Sequence, residues 1–254
     1  MIELLGPGLP AAAVEPLQLP LAVDLTAVVV GAIAGAGIAV RERLDLVGGL
    51  FLAVAMGLGG GVIRDVLLGQ VPVALTNRAY LPTVAVAALV GLIFASLLHR
   101  VGTVVAVLDA LDMGLFTVVG VEKALLVGLP AASAVFVGVS AAVGGGIIVD
   151  RLAGRPVAVV RRGPWNATAA LAGASVYLLA STAGAPSRVC EAIAFLVVVT
   201  MRVVSLRWGG QNPASVDVIQ VIPARRQAIA ASLRSRAGRR PPRRRRRRRS
   251  EPGG

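Results

Sequence analysis

The sequence predicts an all-α integral membrane protein: seven transmembrane helices, arranged as two inverted three-helix repeats plus a seventh helix. Three observations carry this. The 254 residues are 56% hydrophobic and 15% charged, with a mean hydropathy of +0.79, beyond what a soluble domain carries. Seven apolar segments approach the roughly 20 residues needed to cross about 30 Å of hydrocarbon. The stretch GLGGGVIRDVLLG at 57–69 returns as VGGGIIVDRLAG at 143–154, so Gly59, Gly60, Gly61, Ile63, Asp65, Leu67 and Gly69 have identical counterparts 85 positions on.

In chain order, residues 1–22 contain four prolines among the first twenty and no Lys or Arg. They lack the basic start of a signal peptide and are expected to form a short non-cytoplasmic tail. The first three-helix repeat is assigned to 23–100. Its first span, about 23–40, stops at Arg41, Glu42 and Arg43; its second, about 44–69, runs through the first glycine triplet. A polar connection with Pro72, Asn77 and Arg78 leads to a third span, about 80–98, which stops at His99 and Arg100. The second repeat, 104–183, has spans at about 104–127, 130–154 and 165–181, with Arg155, Arg161 and Arg162 between the last two. The seventh span covers 187–208. Beyond it, 209–254 turns polar and Pro-rich with arginines throughout from 243 to 249, a composition expected to lack a packed core.

Charge and special residues narrow the function. The formal charge of +13 comes from arginines concentrated in the last thirty or so residues, while the membrane body is nearly neutral. No specific nucleic-acid binding is expected; the tail should instead attract anionic lipid headgroups. Cys190 and His99 are the only Cys and His, so no disulfide, metal site or cofactor is expected, and no nucleophile and base converge as an enzyme would need. The loops after the first, third and fifth spans are basic. The positive-inside rule therefore orients the chain with its N-terminus outside and its C-terminus in the cytoplasm of a cell-membrane protein. Residues 24–69 and 109–154 share 13 identities over 46 positions without a gap. Because each unit holds three spans, the second must enter from the opposite face.

The candidate site follows from the repeat. Three consecutive glycines weaken a helix by about 1 kcal/mol each relative to Ala. A bend or local break is therefore expected at Gly59, Gly60 and Gly61 and at Gly144, Gly145 and Gly146, tolerated where backbone lines a water-filled path. The bland alternative is that these glycines only allow close helix packing. Ionisable residues inside a span usually face a cavity or pair with one another, which makes Arg64, Asp65, Asp150, Arg151 and Lys123 pore-lining or gating candidates. The symmetry is imperfect, since Val149 stands where the repeat calls for Arg64. Asp24 and Asp109 are read as helix-start caps. Glu191 and Arg202 are read as snorkelling residues, and Tyr80, Trp165 and Trp208 as interfacial aromatics.

With GGGVIRDVLLG and Pro72, VLDAL at 107–111, GVEKAL at 120–125 and GGGIIVD at 144–150, the chain from about 23 to 208 resembles the bacterial TRIC family. These are trimeric intracellular cation channels, also labelled UPF0126 or putative glycine transporters. The resemblance implies a homotrimer with a potassium- and sodium-permeable pore in each subunit, kinked at the two glycine triplets, with Lys123 matching the family's basic residue of the fourth helix. The expected function is passive monovalent cation permeation. A secondary carrier for glycine or a similar small solute is the alternative, because broken helices in inverted repeats also build carriers. A membrane-embedded protein that recruits acidic partners through its basic tail is a third reading.

Overall fold

The computed structural model describes residues 21–97, 101–160 and 165–208. The N-terminal tail before residue 21, His99, Arg100, Arg161, Arg162 and the Arg-rich segment from 209 lie outside the described residues. The elements are α1 (Leu21–Arg41), α2 (Leu46–Leu67), the one-turn α3 (Val73–Thr76), α4 (Tyr80–Leu97), α5 (Val101–Leu126), α6 (Ala131–Leu152), a 3-10 turn (Ala158–Val160), α7 (Ala167–Thr182) and α8 (Ser187–Trp208).

Five of these helices, α1, α2, α5, α6 and α8, are long and apolar enough to cross a membrane, while α4 and α7 are apolar but shorter. Their outer faces carry exposed large apolar side chains such as Phe51, Phe94, Phe136, Leu179 and Leu196, the reverse of a soluble surface. Inside, the packing is built from small residues: Ala27, Ala32, Ala34, Ala36, Ala110 and Ala141 are fully buried. Small side chains let backbones approach in a medium where helix association depends on close packing.

The 85-residue offset governs backbone detail as well as sequence. The bounds of α2 and α6 coincide under it, and α3 has the 3-10 turn as its counterpart. Gly69 and Gly154 both end their helices with positive φ, 68° and 66°, a conformation that glycine adopts without steric cost. Behind them, the Gln70 and Arg155 N–H groups donate to the Asp65 and Asp150 carbonyls. Arg43 and Gly128 likewise share a left-handed turn after the first helix of each unit.

Two expectations need correction. The glycine triplets do not break their helices: α2 and α6 run through them uninterrupted. They sit where the two helices cross so closely that a Cβ built on Gly59 would lie 3.1 Å from the Gly145 Cα, and one on Gly145 would lie 2.8 Å from the Met56 carbonyl oxygen. Helical hydrogen bonding survives because the facing helix supplies the packing that the missing side chains forgo. Neither Asp24 nor Asp109 caps a helix start. The Asp24 carboxylate, in the first turn of α1, is taken up by Arg64 and Tyr80, and Asp109 lies two turns inside α5, out of reach of the free N–H groups of a helix start. A helix start is capped instead by Asp45, whose Oδ1 accepts from the Gly48 N–H at 2.7 Å at the start of α2.

Candidate functional site: two charged cavities related by the repeat

Asp24, Arg64, Asp65, Tyr80 and Lys123 form one cluster drawn from four helices. Arg64 donates from Nη1 to Asp24 Oδ1 at 2.9 Å, from Nη2 to Asp24 Oδ2 at 3.3 Å and from Nε to Asp65 Oδ1 at 2.8 Å. Tyr80 donates its hydroxyl to Asp24 Oδ2 at 2.7 Å. The Val73 N–H donates to Asp65 Oδ2 at 2.9 Å, so the connection after α2 is tied to the cluster. Lys123, from the other repeat unit, places Nζ 3.4 Å from Asp24 Oδ2 and 3.7 Å from Asp65 Oδ1. Two carboxylates and two cations cancel in formal charge, which is how such groups become tolerable away from water. Arg64 and Asp65 are each only 1% exposed, whereas the Lys123 side chain keeps 19%. A cleft of about 10 Å³ lies among Asp24, Gly61, Arg64, Asp65, Tyr80 and Phe116, space for one water at most.

The second cluster is built on the positions 85 further on and closes differently. Asp150 Oδ2 accepts from the Ala158 N–H at 2.8 Å, the counterpart of the Asp65 to Val73 bond. With Val149 in place of an arginine, no guanidinium of α6 reaches Asp109. Arg202 of α8, the helix outside the repeat, donates Nη2 to Asp109 Oδ2 instead. Arg155 stands 3.5 Å from Asp150 Oδ1 and 3.7 Å from Glu42 Oε1. Whereas Arg64 uses all three of its nitrogens, Arg202 leaves Nε and Nη1 buried without a hydrogen-bond partner. The cavity here is larger, about 180 Å³, with Asp109, Met113, Gly146, Asp150, Arg155 and Arg202 among its lining.

The cavities lie at opposite ends of α1. Asp24 belongs to its first turn and borders the smaller cavity, while Ile38 and Arg41 near its end border the larger. Seventeen positions at 1.5 Å rise separate Asp24 from Arg41 by about 25 Å. Between the two runs the α2–α6 glycine crossing. Gly61 borders one cavity and Gly146 the other, while Gly59, Gly60, Gly144 and Gly145 face the opposing helix or its side chains.

Of the candidates read from sequence, Arg64, Asp65 and Asp150 border the cavities, and Lys123 joins the first cluster without lining its cleft. Arg151 is exposed and absent from their lining. Arg202 is a correction: it is 5% exposed and paired with Asp109 rather than snorkelling, because Asp109 needs a cation that its own repeat does not supply. Tyr80 is a correction too, 4% exposed and bound to Asp24 rather than interfacial. The gap at Val149 was the available signal that a cation must arrive from elsewhere. No sequence signal pointed to Tyr80. Replacing Arg202 by Met should lower the thermal midpoint in detergent by less than replacing Arg64 by Met, because Asp109 borders the larger cavity and keeps 24% of its side chain exposed. Parallel melting curves check the order.

A family model described as glycine transporter matches residues 21–100 and 106–182. The chain belongs to this family. A UPF0126 membrane protein of Deinococcus radiodurans is 41% identical over 160 residues, covering 62% of this chain and 74% of the relative. A UPF0126 inner membrane protein of Escherichia coli (strain K12) is 34% identical over 191 residues, covering 73% and 90%. The crystal structure of a TRIC trimeric intracellular cation channel orthologue from Rhodobacter sphaeroides superposes with a TM-score of 0.70 at 31% identity, covering 75% of this chain and 98% of that one. These similarities make the chain a multi-pass membrane protein whose relatives are membrane proteins and channels rather than enzymes.

Proposed function

We propose that this chain is a passive channel for monovalent cations, potassium and sodium, working as a homotrimer with a pore in each subunit. The five long apolar helices and the shorter α4 and α7 all cross the membrane, the two units are inverted relative to each other, and the N-terminus lies outside with the C-terminus in the cytoplasm. The observation that carries the reading is the pair of carboxylate-bearing cavities at opposite ends of α1, related by the 85-residue offset and separated by a glycine crossing. Such an arrangement supplies two charged vestibules and one constriction within a single chain. The similarity to a solved trimeric cation channel supports it. Purified trimer in planar bilayers should carry potassium current; a folded trimer that carries none overturns the reading.

A carrier for glycine is the second reading, favoured by the description of the matching family and by the inequality of the two cavities, as in a protein caught open to one side. Saturable counterflow of labelled glycine in liposomes would select it, since a channel gives only diffusive flux. The Arg-rich tail serves, in either reading, to hold the chain near anionic headgroups at about 1 kcal/mol per basic residue.

Lys123 is the basic residue of the first cluster with the most exposed side chain, and its ammonium sits over both carboxylates at 3.4 and 3.7 Å. Lys123→Ala should leave that cluster with a net negative charge and raise single-channel potassium conductance several-fold or abolish its voltage dependence. Unchanged currents with a reduced trimer yield would make the lysine structural.

A further inference from the structure

Asp112 has no part in either ion-pair cluster. It is 2% exposed, and its Oδ1 is buried with no hydrogen-bond partner. Its position under the repeat is Ala27, so the carboxylate belongs to this half alone and is no relic of the duplicated charge pattern. An isolated carboxylate inside a membrane bundle is costly to keep. A purely structural position would be filled more stably by an apolar or amide side chain.

Its location separates it from the many buried polar groups that only satisfy packing. Along α5, Asp109 and Met113 border the larger cavity and Phe116 borders the smaller; Asp112 adjoins Met113 and stands one turn before Phe116. Across from it, a Cβ built on Gly31 of α1 would lie 2.5 Å from Asp112 Oδ1 and 3.1 Å from the Gly57 Cα of α2. The oxygen therefore meets α1 where two glycines leave the backbone uncovered. Gly31 is three positions from Val28, which borders the smaller cavity, and seven from Ile38, which borders the larger, about 4.5 and 10 Å along the helix.

We infer that Asp112 is the carboxylate a permeating monovalent cation binds between the two cavities, a site covered in this conformation by the close approach of α1 at Gly31 and α2 at Gly57. The inference rests on the channel reading. When α1 and α5 part, Oδ1 offers a carboxylate oxygen on the septum, and backbone at the two glycines is open to complete a cation's oxygen shell. Neighbouring charges that face this region are Asp109 on α5 and its partner Arg202 on α8; Asp24 and Arg64 stand at the far end of α1.

The test is potassium current through wild type, Asp112→Asn and Asp112→Ser in planar bilayers, with thermal midpoints measured on the same preparations. The two substitutions are neutral and no larger than Asp, so at least one should yield folded trimer. The expected result is a fall in potassium conductance of about tenfold or more in a folded variant, with an equal or higher thermal midpoint. Wild-type current that the folded variants match overturns the assignment while leaving the channel intact. Absence of current in wild type removes the channel reading and this site with it. If neither variant folds while wild type conducts, Asp112 is structural and the inference fails.

Discussion

Arg64→Met is expected to cost about 3–5 kcal/mol of stability, the penalty for breaking a buried ion pair from one side. The guanidinium satisfies Asp24 through Nη1 and Nη2 and Asp65 through Nε, and both carboxylates are at most 4% exposed. Lys123 cannot take over, because its shortest approach is 3.4 Å and it is already engaged with both acids. The loss should appear as a sharply lowered thermal midpoint in detergent, or as protein that no longer elutes as a single species. Adding Asp24→Asn to Arg64→Met should recover part of it, since removing both partners costs less than stranding one. An unchanged midpoint in the single variant would show that the cluster does not hold the helices together.

Gly60→Ala is the second large expectation. Its Cβ would fall 2.5 Å from the Ala141 carbonyl oxygen on α6 and 3.2 Å from the Phe116 ring. A backbone oxygen cannot step aside without moving its helix, so α2 and α6 must separate, at about 1–3 kcal/mol for an overpacked contact. Gly146→Ala is the matched control. A Cβ there meets nothing within 4 Å and points to the larger cavity. It should leave stability unchanged or raise it by up to about 1 kcal/mol through helix propensity, while narrowing the cavity and lowering current. Melting curves and bilayer currents of the two variants separate a packing glycine from a cavity glycine; equal stabilities would contradict the close crossing.

The helices and the repeat were legible because both are written in composition and spacing. Apolar runs of sufficient length stop at Arg41 to Arg43 and resume at Leu46, and an ungapped offset of 85 carries Gly69 onto Gly154 with the same left-handed turn. The site was legible in part. Arg64, Asp65, Lys123 and Asp150 stand out as charges in apolar helices, which physics makes conspicuous. Asp24 and Asp109 are equally conspicuous but read as caps, because a carboxylate near the start of an apolar run satisfies the capping pattern whatever it pairs with in the fold. Arg202 and Tyr80 were read by their nearness to the ends of spans, which says nothing about the inward face they occupy.

By itself, then, the sequence determined a membrane protein, its helices, their duplication and the types of charge each unit carries, since these depend on local composition and on periodicity along one chain. Tertiary structure alone decided which charges meet. Arg64 reaches back 40 positions to Asp24, Lys123 crosses 99 positions to the same acid, and Arg202 supplies from outside the repeat the cation that Val149 cannot. It also decided that the glycine triplets join α2 to α6 as continuous helices instead of breaking them. The reason is that a glycine's missing side chain can be answered by a break or by a neighbour's approach, and only the neighbour's position selects between them.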